Sequence, residues 1–457
     1  MGIYGALSTA VSGLQAQSFA LEHISGNIAN SQTTGYKRLE TDFVDLIPEA
    51  PVSRQVTGAV LAQSRQTNTV SGDITSSSKE TYMALNGDGF FVVEEKVGQN
   101  DGNAVFGGVD YYTRRGDFDL DKEGYLVNGA GYYLKGLPID SSTGNVTGSV
   151  PTTIQVSNAF LAASETDRID YQLNLPQLPK TATYDPDIAN SELLTVADYN
   201  NDPTVGGDEF VQAQDEATFL GQSIAGGAIT VYSENGAPVN LQLRWAKTDS
   251  VDNGGDDTWN LFYLKDGSAS GTGEMWTNAG VNYVFDTDGT LNPSIASTTL
   301  SGVEVNGVPL NDITLSHTSN GVTQFADANG QSQVTTMAQN GYPAGEFDSL
   351  SVNNSGRIVA TYSNGQTVDL AAVVTANFNA PNQLKRLDGG IFAATSESGE
   401  AILNTDGGII GAALESSNTD ISEEFTKLIV TQQAYAAGTR IVSTSDQMLQ
   451  EALNMVR

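Results

Sequence analysis

The feature that most limits how this chain can fold is a pair of amphipathic heptad stripes, one at each end, with nothing comparable between them. In the first, Ile3, Leu7, Ala10, Leu14, Gln17, Leu21, Ile24 and Ile28 alternate spacings of four and three, a coiled-coil rhythm with one polar lapse at Gln17. In the second, Ile421, Leu428, Tyr435, Val442, Leu449 and Val456 fall seven apart. Phe425 and Leu453 occupy companion positions there, and Gln432, Thr439 and Asp446 interrupt that row. Asp420 followed by Glu423 resembles a capping box and predicts where the second helix starts.

A stripe at a chain end has no domain of its own beneath it. Two covers are open: the other end of the same chain, as a two-helix stalk, or further copies. A stalk leaves much of each stripe wet, and burying each large apolar side chain contributes roughly 1.5–3 kcal/mol. Isolated helices in water are marginal. The expectation is therefore ends that are poorly ordered in a lone chain and fold as many copies pack. Contacts between identical subunits that do not close give a helical filament.

Between the stripes the chain reads as β structure. Runs such as GFFVVEE, ITVYS, LQLRWA, WNLFYL and RIVATYS are bounded by turn signals, among them Asp121 to Gly124, Asp286 to Gly289 and Asn354 to Gly356. Asp, Asn and Gly dominate residues 180–220 and 248–257, which predicts long acidic loops. The expected fold is mixed and mainly β, with nested β domains in the middle and terminal α-helices forming a coiled-coil-like inner layer. The expected organisation is a helical domain of 1–30 plus 418–457 and an extended linker of 31–76 plus 397–417. Inside these lie an inner β domain of 77–150 plus 338–396 and an inserted outer β domain of 151–337.

The chemistry left open by composition is narrow. A net charge of −33 over 457 residues argues against nucleic acid or an anionic membrane as partner. There is no cysteine, so disulfides and thiolate metal sites are excluded, and there are only two histidines, His23 and His317, neither in a catalytic signature. Asp119-Leu-Asp121 opens like a calcium loop, but Ala130 stands where the bidentate Glu belongs, so a hairpin turn is the better reading. Asn86-Gly-Asp-Gly89 lacks the third glycine of a dinucleotide site. No catalytic, metal or cofactor site is expected. Residues 1–20 hold no Lys or Arg, unlike a secretory signal, and no run approaches the length of a membrane span.

Three motifs carry a resemblance. Asn27-Ile-Ala-Asn30, with Thr33, Gly35, Tyr36 and Lys37, follows the first helix. Asn86-Gly-Asp-Gly-Phe-Phe91 is followed by Tyr112-Thr-Arg114, Gly116, Phe118 and the hairpin 121–127. Ser417-Asn-Thr-Asp420 leads into Glu424-Phe-Thr426, Gln432, Tyr435 and Met448-Leu449. Together they resemble the flagellar basal-body rod and hook axial proteins, and the hook proteins most of all. Gln432-Gln-Ala-Tyr435 departs from that family, which often has Gln-Arg before the aromatic residue.

The resemblance implies a non-enzymatic subunit, without cofactor, that self-assembles into a flexible curved tube transmitting torque from rod to filament. Its implied partners are copies of itself, the rod, the hook cap, the hook-associated junction proteins and the type III export apparatus. Its implied location is outside the cell, reached without a cleaved signal. The helix positions Ile3, Leu7, Leu14, Leu21, Ile24, Ile28, Ile421, Phe425, Leu428, Tyr435, Val442, Leu449, Leu453 and Val456 are then subunit-interface residues. The segment from Ala29 to Arg38 is where the chain turns outward from the tube wall. Asn30 and Gly35 are expected to take left-handed backbone values there, and Lys37 and Arg38 to meet acidic neighbours. Another axial protein (distal rod or hook-associated) is the nearest alternative, and a secreted β-rich hydrolase or adhesin is the distant one.

Overall fold

A computed structural model describes residues 3–46, 59–100, 103–140, 143–318, 321–405 and 407–455. It is mixed and mainly β, with long helices only at the ends, Ile3–Ala29 and Ile421–Met455. The chain divides into two compact units. One holds residues 1–159, 347–362 and 366–457, and the other 160–346 and 363–365.

The first unit is built on a sheet to which both halves of the chain contribute. Its path runs Phe347–Val352, Arg357–Tyr362, Thr367–Val373, Tyr132–Pro138, Phe90–Asn100, Asn103–Thr113, Ile391–Ala393, Lys385–Leu387. Thr367–Val373 pairs with Tyr132–Pro138, so strands from either side of the inserted segment are zipped together. Phe90, Tyr112, Phe378 and Phe392 form the aromatic centre of its core, with edge-on and tilted ring contacts. The Asp121 turn is a hairpin whose carboxylate is committed to backbone: its Oδ1 accepts from the N–H groups of Glu123 at 3.0 Å and Tyr125 at 2.7 Å. Gly124 takes φ +84 there, in the left-handed region a side chain disfavours.

The expected insert of 151–337 sits nine residues too early at each end. Thr152–Thr153 still pairs with Tyr132–Pro138, and the Val156 N–H donates to the Gly124 carbonyl, so 151–159 stay with the first unit. Residues 338–346 belong to the second, because Leu161 bridges Gly345 and Ser164 bridges Tyr342 across the base of the insert.

The second unit is a β-sandwich. One sheet has the order Ser297–Leu300, Ile313–Ser316, Arg168–Asn174, with Gln333–Gln339 on the far side of Arg168–Asn174. The other has the order Phe210–Gln212, Glu274–Phe285, Asp257–Leu264, Pro238–Asp249, Ile224–Tyr232. Alternation puts Ile169, Tyr171 and Leu173 of the first sheet against Leu241, Leu243 and Trp245 of the second. The acidic stretch 180–220 is not a free loop. Its apolar residues Leu194, Tyr199 and Phe219 cover the second sheet's outer face over Val211, Phe262 and Trp276. The Asp and Asn residues between them dominate the composition, which is why the segment reads as loop.

His317 is fully buried inside this sandwich. Its Nδ1 lies 2.9 Å from the Tyr171 carbonyl, and its Nε2 3.0 Å from the Tyr283 hydroxyl, which in turn lies 2.6 Å from Thr298 Oγ1. Burial holds its pKa below the ordinary imidazole value. A histidine depressed on folding stabilises through its neutral form. That contribution is complete above the unfolded pKa of about 6.5 and fades as pH falls through it. Calorimetry of the full chain should show a transition that weakens between pH 7 and 5.5. In His317→Gln it should be weaker at pH 7 but less pH-dependent, and an unchanged slope would remove His317 as the cause.

Candidate assembly interface

The two ends of the chain meet. The terminal helices pair antiparallel: Asn27 Nδ2 donates to Glu424 Oε2 at 3.1 Å, and a Cβ on Gly438 would stand 2.9 Å from Leu14 Cδ2. The expectation that the ends lack each other in a lone chain is thus corrected, since a two-helix stalk forms within one subunit. Its seam on the C-terminal side is the row Glu424, Thr431, Gly438 and Ser445 beside half-buried Leu428, Val442 and Leu449. The companion row predicted through Phe425 and Leu453 is one position off. Those two side chains point away from the seam, 49% and 70% exposed. Small and polar residues form the inner row because the helices approach closely, and the apolar period alone does not reveal such a row.

Of the predicted interface residues, Leu7, Leu14, Leu21, Ile28, Leu428, Val442 and Leu449 are half-buried, whereas Ile421, Phe425, Tyr435 and Leu453 are exposed. Ile24 is buried within its own chain and has no surface to offer a second copy. The side chain of Ile3 and the whole of Val456 lie outside the described residues. Five exposed apolar side chains of the helices were missed: Val11, Ile429, Val430, Ile441 and Met448. Of these Val430, Ile441 and Met448 follow helical spacing with Ala434 and Ala437 between, so the C-terminal helix carries a second stripe beside its seam.

Beneath the helices the family-motif residues join the ends. Asn27 is buried; its Nδ2 also donates to the Leu39 carbonyl at 2.8 Å, and its Oδ1 accepts from Leu39 N at 3.0 Å and the Tyr36 hydroxyl at 3.3 Å. Gly35 takes φ +66, with the Arg114 backbone 2.7 Å from where a Cβ would sit, so the expected left-handed turn is found there. Asn30 is not among the positive-φ residues. It caps the helix instead: its Nδ2 donates to the Gly26 carbonyl at 2.8 Å, and its Oδ1 accepts from Thr33 at 3.2 Å.

Lys37 meets an acid within its own chain. Its Nζ lies 2.6 Å from Glu415 Oε1 and donates to the Val70 carbonyl at 2.7 Å. Glu415, fully buried, also accepts from Gly72 N at 2.8 Å and from Arg114 Nη1 at 3.3 Å. Burial pushes the Lys37 ammonium below its ordinary range, and Glu415 opposes that shift. Arg38 pairs with Glu423 at 2.8 Å and Glu40 at 3.2 Å, and the Asn418 side chain accepts from Arg38 N at 2.7 Å. Sequence reading found Lys37 but not Glu415. The available signal was its being the only charged residue in 407–419.

Neither histidine sits in a triad. His23 Nδ1 lies 2.8 Å from Thr41 Oγ1 and Nε2 3.0 Å from Ser64 Oγ, with no carboxylate on the ring. Among the described residues there is no cluster of three metal-ligating side chains and no helix long and apolar enough to cross a membrane.

Paired terminal helices joined through an exit motif, with β units between them, fit the class the sequence resembles, the axial proteins of the flagellum, and the comparisons point the same way. Residues 7–37 match the family described as flagella basal body rod protein, 84–177 the flagellar hook protein FlgE/F/G D1 domain, 214–342 the flagellar basal body protein FlaE D2 domain, and 411–455 the flagellar basal body rod FlgEFG protein C-terminal region. The flagellar hook protein FlgE of Brucella suis is 29% identical over 462 residues, covering 100% of both chains. That of Escherichia coli is 28% identical, covering 98% of this chain and 100% of its own. A crystal structure of Helicobacter pylori FlgE2 aligns with 15% identity and a TM-score of 0.47, covering 76% of this chain and 99% of that one. The chain belongs to the flagellar hook proteins. It is a structural subunit that polymerises within the flagellar axis.

Removing Glu415 strands two buried cations, whereas removing Lys37 leaves Glu415 its arginine. Glu415→Ala should therefore cost about 3–5 kcal/mol, and Lys37→Met clearly less. Denaturant unfolding of both variants checks this, and equal losses would contradict the arrangement.

Proposed function

We infer that the subunit builds a flexible curved tube, a universal joint carrying torque from rod to filament, through the apolar surface its paired helices leave uncovered. The observation that carries this is the exposure of Phe425, Val430, Ile441, Met448 and Leu453 on one helix whose partner is already in place. Each such side chain contributes roughly 1.5–3 kcal/mol when fully buried, and a second copy offers an equivalent helix pair at every step of a helical array.

The listener at each end of the tube is a different axial protein, so the rod, the hook cap and the hook-associated junction proteins are its proposed neighbours. Passage through the type III export apparatus, and a final position outside the cell, complete the reading. They are supported by the family and by the lack of cysteine, which leaves no disulfide to form on refolding.

Comparing the full chain with one lacking 1–30 and 418–457 by sedimentation and negative-stain imaging tests the assembly role. The full chain should form tubes and the truncated one should not. Phe425→Ser should leave monomer stability within about 0.5 kcal/mol, as exposed substitutions do, while raising the protein concentration at which tubes appear. Normal assembly by both variants would exclude the terminal helices as the polymerising element.

A further inference from the structure

The second unit handles its sheet edges in an unusual way. Exposed edge strands invite pairing with other chains, and proteins normally guard them with charge or proline. In a chain with 54 acidic residues, guards are plentiful. Yet residues 217–233, 289–303 and 328–345 contain no Asp, Glu, Lys or Arg. Each of these runs holds an edge strand of the sandwich: Ile224–Tyr232, Ser297–Leu300 and Gln333–Gln339. The remaining edge, Phe210–Gln212, is flanked by Asp208, Glu209, Asp215 and Glu216 and is guarded in the ordinary way.

Two of the uncharged edges lie side by side. Ser332 Oγ contacts the Ala225 carbonyl, and a Cβ on Gly227 would stand 3.0 Å from Met337 Sδ, so Ile224–Tyr232 and Gln333–Gln339 form one wall whose own strands carry no charge, with Asp327 at its Gln333 end, where Gln333 Nε2 donates to it at 2.6 Å. Gln333–Gln339 pairs with Arg168–Asn174 on one side and, among the described residues, with no strand on the other. Its exposed residues are Gln333, Val334, Thr335 and Ala338. Ser297–Leu300 is the opposite edge of the same sheet.

We propose that this uncharged wall is a docking surface for a second copy of the chain, with strand Gln333–Gln339 of one subunit laid along the uncharged edge Ser297–Leu300 of the next. The occupant follows from charge. Two bodies of this net charge repel wherever acids face each other, so a copy approaches at least cost where both surfaces lack charge. A head-to-tail array needs two different patches on each subunit, and the opposite edges of one sheet supply them. Backbone groups left open on both edges then pair across the contact, as in strand addition. The proposal rests on the hook reading, because it requires a polymer.

The absence of cysteine makes single-cysteine reporters clean. Thr335→Cys, on the wall, and Ile188→Cys, exposed on the acidic covering segment, are introduced separately into the full chain, and maleimide labelling is compared before and after tube formation. Labelling at 335 should slow about tenfold or more in tubes, corresponding to at least 1.4 kcal/mol of occlusion, while 188 stays within twofold. Unchanged labelling at 335, or equal protection at both sites, overturns the proposal. As a second variant, Thr335→Glu should keep the monomer's circular dichroism and melting while raising the concentration needed for tubes about tenfold; Ile188→Glu should not. Tubes from Thr335→Glu at the parent's concentration also overturn it. If the parent chain forms no tubes, the hook reading itself has failed, a result distinct from tubes that ignore the wall.

Discussion

The contact on which the joined ends depend is one buried carboxylate. Glu415 accepts from the Lys37 ammonium, the Gly72 backbone and the Arg114 guanidinium, so it ties the exit of the first helix, the linker and the inner sheet to the segment that starts the last helix. A buried ion cluster adds little net stability, because desolvation offsets its attraction. What it imposes is register. Apolar surfaces slide past each other at small cost, but this carboxylate finds its donors in one alignment only. That alignment also sets Asn418 against Arg38 N and Thr67, and Glu424 against Asn27.

Register at the base decides what the helices present above it. With Glu424 held at Asn27, the row that follows at sevens, Thr431, Gly438 and Ser445, is turned toward the N-terminal helix. Those residues are small, so the helices approach closely and the larger apolar residues on the flanks are left outside. A slip of one position would put Phe425 into the seam and turn the stripe of Val430, Ile441 and Met448 to a different outward direction. The ion knot and the exposed stripe are therefore one device. The first makes the pairing unambiguous, and the second is what remains once pairing is complete.

Much of this was legible in the sequence. Heptad spacing located both helices, turn residues located the hairpins, and the mainly β middle followed from short runs between glycines. The motif from Asn27 to Lys37 marked the junction, because a polar cluster ending an apolar helix has to satisfy its own backbone. The seam was misread because periodicity counts large apolar residues, while a close contact between helices selects small ones. Glu415 escaped because its partners lie far away in the chain, and its one local mark, standing alone as a charge in an otherwise uncharged stretch, does not say which cations it meets. The covering role of 190–220 was hidden by composition. There, a few apolar residues such as Tyr199 and Phe219 do the covering and the acids between them set the average.

The cations bear on how such an acidic subunit adheres to its copies. Lys37, Arg38, Arg65, Arg114 and Lys427 are all engaged with acids of their own chain around the joined ends. Arg440, exposed beside Ile441, is the basic group of the C-terminal helix left outside these pairs, so adhesion there has to come mainly from uncharged surface. On the proposed reading that surface is of two kinds with different physics. Burial of the helical stripe is undirected and grows with area, roughly 25 cal/mol per Å². It holds subunits together without specifying an exact angle. Backbone pairing along an uncharged edge is directional, but each bond nets only about 0.5–1.5 kcal/mol against water. It can be broken and remade a residue at a time. A tube held by the first and guided by the second can bend while it turns, which neither a lattice of ion pairs nor a wholly apolar shell allows at comparable cost.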